Sequence, residues 1–170
     1  MGARDVEAWV EAALATLAEL TEQALGLEEP LAPGVVEDRA PLETRVACIA
    51  LTAGDAAVQL GLVTSPGHAR FVARALLGLG EDDPDPEPEE VNDALGEAVN
   101  IMAGSLKSKM AASCPGLTLG LPMLIDGAMM FPSAAFRRVG AFTAGPLEGE
   151  LLVVVSNAAA DLAAADLAAA

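Results

Sequence analysis

Cysteine, histidine, aromatics and positive charge are all scarce in this 170-residue chain, and each scarcity excludes a class of protein. Cys48 and Cys114, the two cysteines, are not in a metal-ligand spacing and imply no disulfide framework; they read as core fillers. The single histidine, His68, has no nearby Cys or His with which to share a metal, which leaves it a surface or structural role. Ser105, Ser108 and Ser113 have no histidine in a recognisable partner motif, and no Gly-rich phosphate loop of the Walker type occurs. Nine basic residues stand against 25 acidic ones, for a formal charge of −16. So acidic a chain repels a phosphate backbone and an anionic membrane leaflet alike, which argues against nucleic acid and membrane as partners.

Long hydrophobic runs are missing too. No run approaches the roughly 20 apolar residues needed to cross a bilayer, and Arg4, Asp5 and Glu7 arrive before any apolar run, unlike a secretory signal. The expectation is a cytoplasmic protein. Aromatics make up only 3% of the chain, so the core must be built of Ala, Val, Leu and Met, with Trp9 and four Phe as the large fillers. The 53% apolar content excludes a disordered chain, and 170 residues suit one domain. Residues 1–156 read as that domain and 157–170 as an Ala-rich tail, in which Ala-Ala-Ala-Asp-Leu occurs twice without giving a helical stripe.

What is there reads as alternating helices and strands. Val6, Val10, Ala13, Leu14, Leu17, Leu20 and Ala24 repeat at threes and fours, with Asp5 as a candidate cap, and predict an amphipathic helix ending near Gly26. Pro30 to Pro41 reads as a linker. Leu42 to Ala53 and Ala57 to Val63 are β-rich runs joined by Gly54-Asp55, a hairpin signature. Ser65-Pro66 starts a second helix with Phe71, Ala75, Leu76 and Leu79 on its apolar side, stopping at Gly78 or Gly80. The loop over 80–88 and the two glutamates after it hold seven acids among interleaved prolines, and predict an extended, solvated segment. Pro88, Glu89 and Glu90 then suit the first turn of a long helix. Leu117, Leu119 and Leu121 alternate with polar residues and Pro, Phe136 to Thr143 is strand-like, and Leu151 to Val155 is almost continuously apolar, which adds three strands.

The long helix carries the candidate site. In Asp93-Ala-Leu-Gly-Glu97-Ala-Val-Asn100-Ile-Met-Ala-Gly104, the residues Asp93, Glu97, Asn100 and Gly104 fall within about 60° of one another around the axis. Val91, Leu95, Val99, Met102, Leu106 and Met110 cluster on the opposite side. Burying that apolar face would present a carboxylate and a carboxamide side by side to solvent, with Gly104 leaving room for a partner. Asp93 is also placed to act as a favourable charge in the early turns of the helix, and Lys107 and Lys109 as dipole partners near its end.

These residues, and the order helix, hairpin, helix, motif helix, strands, resemble the CheX branch of the CheC/CheX/FliY phosphatases over about residues 5 to 156. Asp93, Glu97 and Asn100 match the family motif in register. Pro122 follows one residue short of the family spacing, and Ser105 stands where relatives often carry Asn. One Glu-x-x-Asn copy favours the CheX type over the CheC type. The resemblance implies an α/β (α+β) fold with helices packed on one antiparallel or mixed sheet, and a homodimer formed through sheet edges. It also implies hydrolysis of the aspartyl phosphate on a CheY-like receiver in chemotaxis or a related two-component pathway. In that chemistry Asn100 positions the attacking water, Glu97 pairs with a receiver lysine, and the receiver brings its own Mg2+. Asp93, Gly104 and Pro122 are then secondary, partner-facing positions. Two rivals share the sequence: a noncatalytic receiver-binding or assembly module, and a structural dimer in which the stripe is incidental. Receivers are often acidic around the phosphorylation pocket, so docking to so acidic a chain calls for local basic contacts.

Overall fold

An antiparallel sheet carries three helices on one face. The computed structural model describes residues 3–34, 44–54, 56–127 and 137–157. Helix α1 (Ala3–Glu19) runs into a π-helical turn at Leu20–Ala24. Strand β1 (Ala32–Gly34), the hairpin β2 (Arg45–Ala53) and β3 (Ala56–Thr64), and helices α2 (Pro66–Leu76) and α3 (Pro88–Met110) follow. Strands β4 (Thr118–Leu119), β5 (Met123–Asp126), β6 (Arg137–Ala144) and β7 (Leu147–Asn157) complete the described fold. The strand order is β1-β6-β7-β3-β2-β4, with β5 also pairing β2, and every pairing is antiparallel. This is the α+β architecture anticipated from the sequence, with a purely antiparallel sheet.

The period-2 pattern of β2 explains its two faces. Ala47, Ile49 and Leu51 point into the main core with α1, α2 and α3, while Val46 and Cys48 join Val63 and Leu152 in a smaller cluster. Cys48 is fully buried, and burial pushes its thiol above the usual range; Cys114 is half-buried against the main core. Both behave as the fillers the sequence suggests. Trp9, Ala13 and Leu17 form the buried edge of α1, and Leu20 continues it into the π-helical turn.

Several local expectations shift. The helix α1 begins at Ala3, so Asp5 lies in its first turn rather than at its cap. The supposed linker contains β1, which pairs Ala32 with Thr143 and Gly34 with Ala141 on β6. Pro33 has no N–H to donate, and an edge position tolerates that; nothing in so short a segment announces a strand. On α2 the buried residues are Ala69, Val72 and Ala73, with Phe71, Ala75 and Leu76 half-buried beside them. Small side chains let α2 lie close to the core. The alternating run after Leu117 splits into β4 and β5, because Pro122 interrupts the ladder, and Leu121 is left 85% exposed.

Turn and cap chemistry holds where the sequence places it. Gly54 has φ 57° at the hairpin, whose Asp55 lies outside the described residues, as do residues 158–170 of the tail. The Ser65 hydroxyl accepts the His68 N–H at 3.2 Å and lies 3.0 Å from His68 Nδ1, so His68 belongs to a helix cap. The acidic loop is more ordered than its composition suggests. The Arg74 guanidinium donates to the carbonyls of Asp83 and Gly80 and pairs with Asp85 at 3.0 Å, and Pro86 is buried.

Candidate functional site

Helix α3 is fixed on every side except one. Pro88 opens it, and the Glu90 carboxylate accepts the Glu87 N–H at 2.7 Å, satisfying a backbone donor at the helix start. Leu95, Ala98, Val99, Met102, Ala103 and Leu106 are fully buried. The face opposite carries Asp93, Glu97 and Asn100, all exposed, and the half-buried Gly104. Among the described residues no side-chain hydrogen bond or ion pair engages Asp93, Glu97 or Asn100. Nothing lies within 4 Å of where a Gly104 Cβ would stand.

One flank of this face is tied to the sheet. Arg45 on β2 donates from Nη1 to Asn92 Oδ1 at 3.1 Å and pairs through Nε with Asp126 at 3.2 Å, linking β2, β5 and α3. Just beyond, Pro122 covers Gly96, whose missing Cβ would stand 3.7 Å from the proline Cβ. Gly96 lies one turn before Asn100 on the same side of the helix. Pro122 therefore does reach the flank of the stripe despite its shifted spacing. Leu124 of β5, opposite the core-facing Ala47 and exposed at 42%, stands on the same side of the sheet as α3, and Ile101 is exposed on the other side of the stripe.

The far end of α3 is held by α1. Glu19 accepts Ser105 Oγ at 2.6 Å and pairs with Lys109. The hydrogen bond from Lys109, reinforced by that from Ser105, holds the Glu19 carboxyl below its ordinary value. Glu19 stands where α1 gives way to the π-helical turn, and that turn changes the phase of the helix beyond it.

The structure thus gathers all five residues singled out in the sequence on or beside one helix face. Sequence reasoning missed the Arg45–Asn92–Asp126 link, the exposed Leu124 on the helix side of β5 and the role of Gly96 as a seat for Pro122. Only Gly96 left a local signal, a second glycine inside a helix. Among the described residues no group of three His, Cys, Asp or Glu could hold a metal ion, and no helix is long and apolar enough to cross a membrane.

An antiparallel sheet under a long helix with an exposed, unengaged carboxylate–carboxamide pair defines an α+β domain with a candidate site on one helix face, as the family resemblance implies. The family model described as "Chemotaxis phosphatase CheX" matches residues 46–134, over half of the chain, and the chain belongs to that family. Solved structures agree on the fold. A CheX chemotaxis protein from Vibrio vulnificus is 19% identical with a TM-score of 0.65, the match covering 86% of this chain and 94% of that one. A CheC-like superfamily protein from Shewanella sp. PV-4 is 15% identical with a TM-score of 0.69, over 92% and 99%. A chain in the CheX-CheY-BeF3-Mg+2 complex from Borrelia burgdorferi is 21% identical with a TM-score of 0.57, over 89% and 96%. No curated protein matches the chain.

Proposed function

We propose that this chain hydrolyses the aspartyl phosphate of a CheY-like receiver domain in the cytoplasm, in chemotaxis or a related two-component pathway. The observation that carries the reading is the Glu97–Asn100 pair, exposed and unengaged among the described residues on a helix otherwise fixed by its surroundings. Membership of a family described as chemotaxis phosphatases supports it.

Acyl phosphate hydrolysis needs an in-line water and charge neutralisation around the transferring group, with little covalent help from the protein. The Asn100 carboxamide oxygen accepts a hydrogen bond from the attacking water and fixes its lone pair toward phosphorus. The Glu97 carboxylate, one turn earlier, pairs with a receiver lysine and sets the distance between the helix and the phosphoryl group. Water adds to phosphorus, the bond to the aspartyl oxygen breaks, and inorganic phosphate leaves as the carboxylate is restored. The receiver carries the Mg2+ that offsets charge on the phosphoryl oxygens. Pro122 and Gly104 shape the contact on either side, and Asp93 supports the helix start.

A homodimer through a sheet edge belongs to the same reading. The exposed Met123, Leu124 and Ile125 of β5, an edge strand that pairs only β2 among the described residues, support it, and light scattering of the purified chain tests it.

The deciding experiment follows the decay of a purified phosphorylated receiver with the wild type, Glu97→Ala and Asn100→Ala at matched folding. Faster decay with the wild type only is the expected result. Coincident curves overturn the enzymatic reading, and receiver binding without faster decay leaves a noncatalytic binding module in its place.

A further inference from the structure

The outward stripe of α3 does not end at Gly104. Lys107 continues it, within about 60° of Asn100 and Gly104 around the axis and about 10 Å beyond Asn100 along it. Its side chain is exposed, and among the described residues nothing pairs with it. Nearby cations are committed elsewhere: Lys109 to Glu19, Arg45 to Asp126 and Asn92, and Arg74 to the acidic loop. In a chain of formal charge −16, a free ammonium on the same strip as Glu97 gives that strip a direction. It is negative at Asp93 and Glu97, uncharged at Asn100 and Gly104, and positive at Lys107. Because no side chain rises at Gly104 and its surroundings are open, a partner reaches the helix between the two charges.

We propose that Lys107 determines which receivers dock and in which direction, its ammonium pairing with a carboxylate on the receiver surface beside the phosphorylation pocket. The inference rests on the receiver reading given above. With Glu97 on a receiver cation and Lys107 on a receiver acid, the two contacts stand about 15 Å apart along one fixed helix. A receiver turned end for end meets like charge at both, so the pair selects one orientation. It also answers the charge problem of an acidic chain approaching an acidic pocket, by placing the positive end where Glu97 is not. Lys107 lies in the last turn of α3, where it favours the helix dipole. That role is internal to the chain and alters thermal stability without altering receiver affinity.

The test uses the full chain and the CheY-like receivers of the same cell, loaded with beryllofluoride and Mg2+ for binding and phosphorylated for turnover. Lys107→Met, which keeps the apolar stem, is compared with Lys107→Arg and Lys107→Glu. At low ionic strength Lys107→Met raises Kd and KM by about two- to fivefold, Lys107→Glu raises them further, and kcat stays level. Lys107→Arg restores affinity, and the differences close in high salt. Equal Kd for all variants at low salt, or a loss that high salt leaves unchanged, overturns the proposal; a lower Tm with unchanged Kd assigns Lys107 to the dipole alone. A wild type that binds a receiver without speeding phosphate loss defeats the phosphatase reading, while the Kd series still decides Lys107. A wild type that binds none of the receivers defeats both.

Discussion

Pro122 rests on α3 at Gly96, in a gap that would take one methyl and little more. The Cβ of an alanine there would stand 3.7 Å from the proline Cβ, an ordinary packing distance. Gly96→Ala is therefore predicted to leave the fold intact and to raise stability, since alanine gains about 1 kcal/mol over glycine inside a helix. Gly96→Leu has no such room and lifts Pro122 from the flank of the stripe. Urea unfolding of both variants, with receiver dephosphorylation alongside, checks the pair: the first gains stability and keeps activity, the second loses activity.

The two faces of α3 are predicted to separate stability from function. Leu95→Ala empties a fully buried site and costs about 2–5 kcal/mol. Asn100→Ala, on the exposed face, changes stability by no more than about 0.5 kcal/mol. Its dephosphorylation rate falls on the order of a hundredfold, because the attacking water is no longer positioned. Thermal unfolding and single-turnover decay measure the contrast.

Glu19 gives a pH signature. Its carboxyl is held below the ordinary value of 4.5 by Lys109 and Ser105, so the folded state favours the ionised form more than the unfolded chain does. The stabilisation is complete well above pH 4.5 and is lost as pH falls through the lower folded value. Solvent screens the pair, so the effect is small. Comparing wild type with Glu19→Gln by denaturant unfolding, the wild-type advantage is present near neutrality and shrinks below pH 4.5.

Gly140 tests the sheet. It sits at a bulge between Arg138 and Gly140 with φ 125°, and an added Cβ would fall 2.5 Å from the Gly34 carbonyl oxygen. Backbone strain alone at such a position costs about 1–3 kcal/mol, so Gly140→Ala is expected to destabilise by at least that much and to loosen β1. Amide exchange at Ala32 and Gly34 reports the loosening.

What was legible in the sequence was whatever is local. The 3.6-residue period of α3 exposed its buried and open faces, Gly54 marked the hairpin, and Ser65-Pro66 marked the start of α2. Contacts between distant segments were not legible. Arg45 and Asn92 lie on different elements and meet only once the sheet and helix pack, so neither residue betrays the other. The same holds for Glu19 with Ser105 and Lys109, and for β1, whose existence depends on β6 lying alongside. Pro122 is the instructive middle case: its spacing from Asn100 is shifted, yet packing against Gly96 brings it to the stripe. Geometry could show the Glu97–Asn100 pair to be exposed; only the family resemblance attached chemistry to it.

Because the core and the outward stripe of α3 use different residues of one helix, the protein can change its partner without renegotiating its fold. Glu97 and Asn100 are exposed and make no side-chain hydrogen bond or ion pair among the described residues, so lineages can drift between active, silent and retargeted forms at nearly constant stability. Such a layout leaves an inactive descendant as well folded as its active ancestor, and makes this helix a convenient place to rewire a signalling circuit.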